Sequence, residues 1–138
     1  MALLAKKKLL VAKIESTYNT DPSPTQAIQT SNLSIVPLAG PTVSRNLDRS
    51  TLGNDLQIQV GSFVEVSFEV EFSASGSAGV APVFEDLLLG AGLAGVVVAS
   101  TSVTYKPVST GYDSVALHFH HDGQRHVVLG ARGTVAMD

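Results

Sequence analysis

The chain has 138 residues, no cysteine and a formal net charge of −3. That length buries about two-thirds of its unfolded surface in one domain without staples. Disulfides and thiolate zinc sites are excluded, and the acidic balance argues against a general nucleic-acid binder. Only 15% of residues are charged against 44% hydrophobic. Such a sparse charged surface fits a subunit that hides much of itself in neighbours.

The first residues, M-A-L-L-A-K-K-K-L-L-V-A, place their charges after a very short apolar run. That is the wrong order for a signal peptide. No run approaches the ~20 apolar residues of a membrane span, so synthesis in the cytosol is expected, with no membrane partner. Lys6, Lys7 and Lys8 lead into Leu9–Ile14, which reads as a first strand or as part of an extended N-terminal arm over 1–13. Three adjacent lysines mark a solvated terminus in the plain reading and a docking contact to an acidic neighbour in the sharper one. From Tyr18 to Ser31 the chain is loop chemistry, with Asp21-Pro22 and Ser23-Pro24 biasing the preceding residues away from helix. Asn32–Leu38 reads as a strand with Leu33 and Ile35 on one face, and Pro37 points to an edge or an end.

Gly40–Gln59 has no strong period, and it separates two good strands by far more than the ~2–5 residues of a hairpin. Yet Val43, Leu47, Leu52, Leu56 and Ile58 make it too apolar for a disordered linker. It is a candidate for insertion into another subunit, or an Ω-type loop folded back on its own domain.

Val60–Phe72 follows, and the rest of the chain is expected to be organised around it. From Val64 the alternation is strict: Val64, Val66, Phe68, Val70 and Phe72 fall on one side of a strand, and Glu65, Ser67, Glu69 and Glu71 on the other. The apolar side must bury, at roughly 1.5–3 kcal/mol per side chain. The carboxylates must face water or a hydrated channel, because burying them unpaired costs several kcal/mol each. The plain reading is the solvated outer face of a sandwich.

Ser73–Val80 is small and flexible. Ala81–Leu93 is the one convincing helix, with Pro82 in its first turn, Glu85 and Asp86 near its positive end, and Phe84, Leu87, Leu88 and Ala91 as its apolar stripe. Gly90 and Gly92 end it early. Val96–Ala99, Ser102–Val108 and Tyr112–His121 read as strands, the last with Val115, Leu117 and Phe119 on one face. Asp122-Gly123 is a strong hairpin signal that turns the chain into Arg125–Leu129. Gly130–Gly133 bends the chain, and Thr134–Met137 begins a further strand.

His118, His120, His121 and His126 form the one cluster with metal-ligand character. His118 and His120 share a face. A two-residue Asp122-Gly123 loop sets Phe119 opposite His126, however, and so moves His126 to the apolar side. No third ligand is in evident reach, and neither a metal nor a catalytic role is expected. There is no G-x-S-x-G elbow. Gly90-x-Gly92-x-x-Gly95 matches the dinucleotide fingerprint in letters alone, because it ends a helix instead of joining a strand to one. No active site and no cofactor are expected.

The ordered set K-I-E-S-T-Y-N-T-D-P-S-P-T, N-L-S-I-V-P-L-A-G-P-T-V-S-R, V-G-S-F-V-E-V-S-F-E-V-E-F, A-P-V-F-E-D-L-L-L-G-A-G-L, T-S-V-T-Y-K-P-V-S and H-H-D-G-Q-R-H-V-V-L-G-A-R-G-T-V spans nearly the whole chain. In that order it resembles the tail tube (major tail) proteins of long-tailed bacteriophages and prophages. The resemblance implies one mainly β domain over 1–138, a β-sandwich or barrel-like fold with one short flanking helix and a long inter-strand loop. It further implies a structural, non-enzymatic virion protein, made in the host bacterial cytoplasm and assembled as hexameric rings stacked into a hollow tail tube. Family members run on past G-A-R-G-T-V with more strand, whereas this sequence stops at Asp138. Partners would be further copies of the chain and other tail proteins such as tape measure, terminator and baseplate, with DNA passing through unbound.

On this reading Glu65, Glu69 and Glu71 line the lumen, unless they meet Arg45, Arg49 or Lys6 of a neighbour. Val43, Arg45, Leu47, Arg49, Leu52 and Leu56 of the long loop make the ring-to-ring contact, and Lys6, Lys7 and Lys8 are contacts of the arm. The rival within virions is a terminator, neck or baseplate-hub ring subunit of the same fold. From another class, the rival is a soluble β-sandwich binding module, for instance for carbohydrate. Three Tyr and no Trp offer it few stacking platforms. An enzyme ranks third, resting on the histidines.

Overall fold

Val115 to Phe119 places five residues in a row that all lose contact with water, the signature of a strand covered on both faces. The structure, a computed structural model, describes residues 6–137. In chain order its elements are β1 (Lys8–Ile14), β2 (Ala27–Ile28), β3 (Thr30–Ala39), β4 (Thr42–Ser44), β5 (Gln57–Gln59) and β6 (Phe63–Val70). Then follow α1 (Glu85–Gly90), β7 (Leu93–Val98), β8 (Ser102–Pro107), β9 (Val115–His121) and β10 (Gln124–Ala131). The protein is mainly β, as the sequence leads one to expect, and its one helix among the described residues runs only over Glu85–Gly90 instead of the expected Ala81–Leu93, with Phe84 and Ala91 as its caps. No helix among the described residues is long and apolar enough to cross a membrane.

The described residues form two compact units, one from the chain ends up to Ser31 and from Glu69 on, the other from Asn32 to Phe68. The first is built on a four-stranded sheet in the order β10-β9-β1-β2, each neighbouring pair antiparallel. Its core is Leu10, Val11, Ala12 and Ile28 with Val115, Ala116, Leu117 and Phe119, closed by Phe84 and Leu88 at α1. The helix packs on β1, β7 and β9. At Gly90 a Cβ would collide with the Val115 side chain, so the helix is as close to β9 as a backbone can come. β7 and β8 form a separate antiparallel ribbon. There Tyr105 donates its hydroxyl to Glu85 Oε1 at 3.2 Å. Burial first, then the Glu85 charge and this hydrogen bond, push the Tyr105 phenol up to about 12.

Asp122-Gly123 makes the expected two-residue turn, with both residues at positive φ, +45° and +87°. The register sets Phe119 opposite His126. Of the two readings of the N-terminus, strand holds for Lys8–Ile14, which pairs along its whole length with β9. The arm reading therefore fails for residues 8–13, because Leu10, Val11 and Ala12 are core. Residues 1–5 lie outside the described residues. The strand expected over Tyr112–His121 starts only at Val115, and Thr134–Met137 is exposed and not a strand. The bend at Gly130 is an irregularity inside β10, where the register with β9 shifts between Val128 and Ala131.

The expectation for Val60–Phe72 needs correction. The alternation is real in β6: Val66, Phe68 and Val70 are half-buried while Glu65, Ser67 and Glu69 are exposed. But Phe63 and Val64 are exposed too, and Phe72 is 77% exposed. β6 pairs with β3 alone, and a two-stranded ladder leaves one layer of apolar side chains without a second to cover it. The organising strands are β9 and β1.

Glu15, at the end of β1, joins them. It is buried, and its carboxylate accepts Ser114 Oγ–H at 2.6 Å, Gly130 N–H at 2.7 Å and Asn19 N–H at 2.9 Å. Burial alone would raise its pKa, as would Asp21 nearby. The bonds from Ser114, Gly130 and Asn19 outweigh both and hold it below the usual carboxylate range. A lowered folded-state pKa contributes stability above the unfolded value of about 4.3, lost as pH falls through the folded one. Glu15→Gln is therefore expected to lower unfolding stability by about 1.5–3 kcal/mol at pH 7, the range for hydrogen bonds to a charged group. The gap to wild type should shrink as pH falls below the unfolded value of about 4.3, where Glu15 takes up its proton first in the unfolded chain and then, at lower pH, in the folded one. Urea unfolding at pH 7 and at pH 3.5 measures it, and a gap of equal size at both values would contradict the assignment.

Candidate assembly surface

The long segment after β3 is pinched at its base. β4 and β5 pair antiparallel, Val43 opposite Ile58, and Val60 donates its N–H to Pro41 O at 3.0 Å. Gly40, at φ +146°, sits where a Cβ would lie 3.1–3.3 Å from the backbone of 60–62, so a side chain at this crossing would be both strained and tight. Beyond this neck, residues 45–56 carry no strand, and the Arg49–Asp55 ion pair at 3.4 Å ties the loop across. Val43, Arg45, Leu47, Arg49, Leu52 and Leu56 are all exposed, Leu52 fully at 109%. Within Asn32–Phe68, Leu33 is the one buried residue. The apolar side chains of this loop thus do not fold back into a core of their own chain.

Of the candidate carboxylates, Glu65 and Glu69 share the exposed side of β6, while Glu71 is exposed one residue beyond its end. Glu69 accepts Ser31 Oγ–H at 3.2 Å. Lys6, Lys7 and Lys8 are exposed, and Lys7 reaches Asp122 at 3.4 Å in the same chain.

The histidines separate as the register requires: His126 stacks on Phe119 at 5.7 Å between ring centres. One expectation about them is corrected. A carboxylate does reach His118, since Asp21 Oδ1 lies 3.0 Å from its Nε2. The residues are far apart in sequence, and only the return of the 15–26 loop over β9 brings them together. Among the described residues no group of three or more His, Cys, Asp or Glu is placed to hold a metal ion.

Sequence reasoning missed a second apolar surface. Val96, Val97 and Val98 are each about half exposed, at 54%, 56% and 49%. Consecutive exposed valines show that both faces of the ribbon stay open at this end. The signal was present as three adjacent β-branched residues, which read equally well as a buried strand. No family model, no curated protein and no solved structure matches the chain.

Because Leu47, Leu52 and Leu56 bury little in the chain, their joint replacement by Ser is expected to change unfolding free energy by no more than about 0.5 kcal/mol. Urea unfolding of dilute protein checks this. A loss above about 2 kcal/mol would mean that they are core after all.

Proposed function

We propose that this chain is a structural subunit of a bacteriophage tail tube, assembling into stacked, hexameric rings. The single observation that carries the reading is the 40–59 loop, pinched at its neck, with exposed leucines beyond it and no core of its own. Several apolar side chains exposed together in one segment mark a surface that a partner can cover. A composition of 44% hydrophobic and 15% charged residues points the same way. In the assembled ring the mainly β chain would complete a sandwich or barrel-like layer. Val43, Arg45, Leu47, Arg49, Leu52 and Leu56 would enter the neighbouring ring, and Lys6, Lys7 and Lys8 would contact an acidic neighbour.

The acidic side of β6 would line the bore with Glu65, Glu69 and Glu71, repeated in every subunit. A carboxylate lumen repels the phosphate backbone and offers no counterion-releasing sites, so DNA slides through without sticking. Tape measure, terminator and baseplate proteins would be the other partners, and the virion tail the final location.

Negative-stain microscopy of purified protein should show rings or tubes. Deletion of Arg45 to Asp55 should leave a folded protein that no longer polymerises, and tubes of normal length from that deletion would sink the reading of the loop. Changing Glu65, Glu69 and Glu71 together to Lys should slow DNA ejection from intact tails, and unchanged infectivity would remove the lumen role.

A further inference from the structure

Arg132 follows β10 and is exposed, yet its backbone is anchored on both flanks. Gly130 donates its N–H to the buried Glu15 carboxylate at 2.7 Å, and Gly133 donates its N–H to Gly90 O at 3.1 Å. The guanidinium carbon lies 5.7 Å from the centre of the Tyr18 ring and 5.9 Å from that of Tyr112. Both rings are themselves held. At Gly130 a Cβ would stand 3.0 Å from the Tyr18 ring, which lies flush on that backbone, and the next residue, Asn19, donates its N–H to Glu15 at 2.9 Å. Tyr112 donates its hydroxyl to Ser109 O at 3.0 Å. One buried carboxylate thus positions both the loop that carries Tyr18 and the strand end that carries Arg132.

Aromatic rings engage the charge of a guanidinium, but they do not satisfy its five N–H donors as a carboxylate does. Arg132 makes no ion pair with any described residue. What remains is a planar fork, oriented in advance and open to solvent, which a carboxylate matches bidentately, as a phosphate also can. We propose that Arg132, cradled by Tyr18 and Tyr112, binds a carboxylate side chain supplied by a second copy of this chain. Each copy carries 12 Asp and Glu against 9 Lys and Arg. Asp48, Glu65, Glu71 and Asp113 are exposed without an ion pair of their own among the described residues. The source of the carboxylate rests on the self-assembly reading; the carboxylate site itself does not.

The test has two arms. In the first, isotopically labelled wild-type protein, dilute enough to be monomeric, is titrated with the dicarboxylate glutarate and separately with inorganic phosphate, following the Arg132 side-chain resonance. Saturable binding of glutarate, tighter than phosphate, is expected. It should be lost in Arg132→Lys and weakened roughly tenfold when Tyr18→Leu and Tyr112→Leu remove the cradle. No saturable shift, tighter binding of phosphate, or unchanged binding without the two rings would overturn the site.

In the second arm, sedimentation velocity compares wild type with Arg132→Lys, or with Arg132→Gln if the lysine variant unfolds at a lower temperature. The concentration needed for self-association should rise roughly tenfold. An unchanged concentration would overturn the role between copies. If wild-type copies do not associate at all, the tail-tube reading and the second copy fall together, and the glutarate arm alone decides the site.

Discussion

A carboxylate taken out of water must be given donors, and Glu15 receives three, from three separate stretches of chain. Ser114 immediately precedes β9, Gly130 sits at the irregularity in β10, and Asn19 belongs to the loop after β1. The main chain adds a fourth tie, since Glu15 donates its own N–H to Ser114 O at 2.9 Å. Leaving any of these groups unpaired in the interior costs on the order of 1–3 kcal/mol. The one geometry that pairs them all sets the relation of β1, β9 and β10 at this end of the sheet. The opposite end is held by the Asp122-Gly123 turn and the Lys7–Asp122 contact. Between these two ends lie the buried Leu10, Val11, Ala12, Val115, Ala116, Leu117 and Phe119.

The unit of Asn32–Phe68 is built on a different principle. Its ladders are two-stranded, its neck is closed by backbone pairing, and Leu33 is its one buried residue. Two-stranded ladders are marginal in water unless something covers their apolar face. A segment of this kind holds its shape by local hydrogen bonds and leaves its leucines unspent, as a binding element does. The contrast with the buried sheet around Glu15 separates a part that keeps the fold from a part available for contact. The proposed tail-tube role uses both, the first as a rigid body and the second as the connector.

Helix α1 links its surroundings through groups that are uncomfortable where they sit. Asp86 has its pKa raised, first by burial, with the Ile14 backbone and the Lys13 charge only partly offsetting it. Tyr105 remains neutral far into the alkaline range beside Glu85. They hold a six-residue helix that is too short to be stable alone against the sheet and the β7–β8 ribbon.

Local chemistry was legible in the residues themselves. The strict alternation of Val64–Glu71, the Asp-Gly turn with its register, the Pro37 edge strand and the single helix follow from periods and turn preferences that act within a few residues. The unspent apolar residues of the 40–59 loop were also legible, because their lack of period excludes a local face to bury. What only the tertiary structure decided is which strand lies at the centre. β6 has the cleaner pattern, but β9 has neighbours on both sides, and burial depends on how many layers cover a strand and not on its period. The same holds for Glu15 with Ser114 and Gly130, Asp21 with His118, and Tyr18 with Arg132. Each pair is about a hundred residues apart in the chain, and short-range patterns carry no information about partners that only the pairing of β1 with β9 and β10 brings within bonding distance.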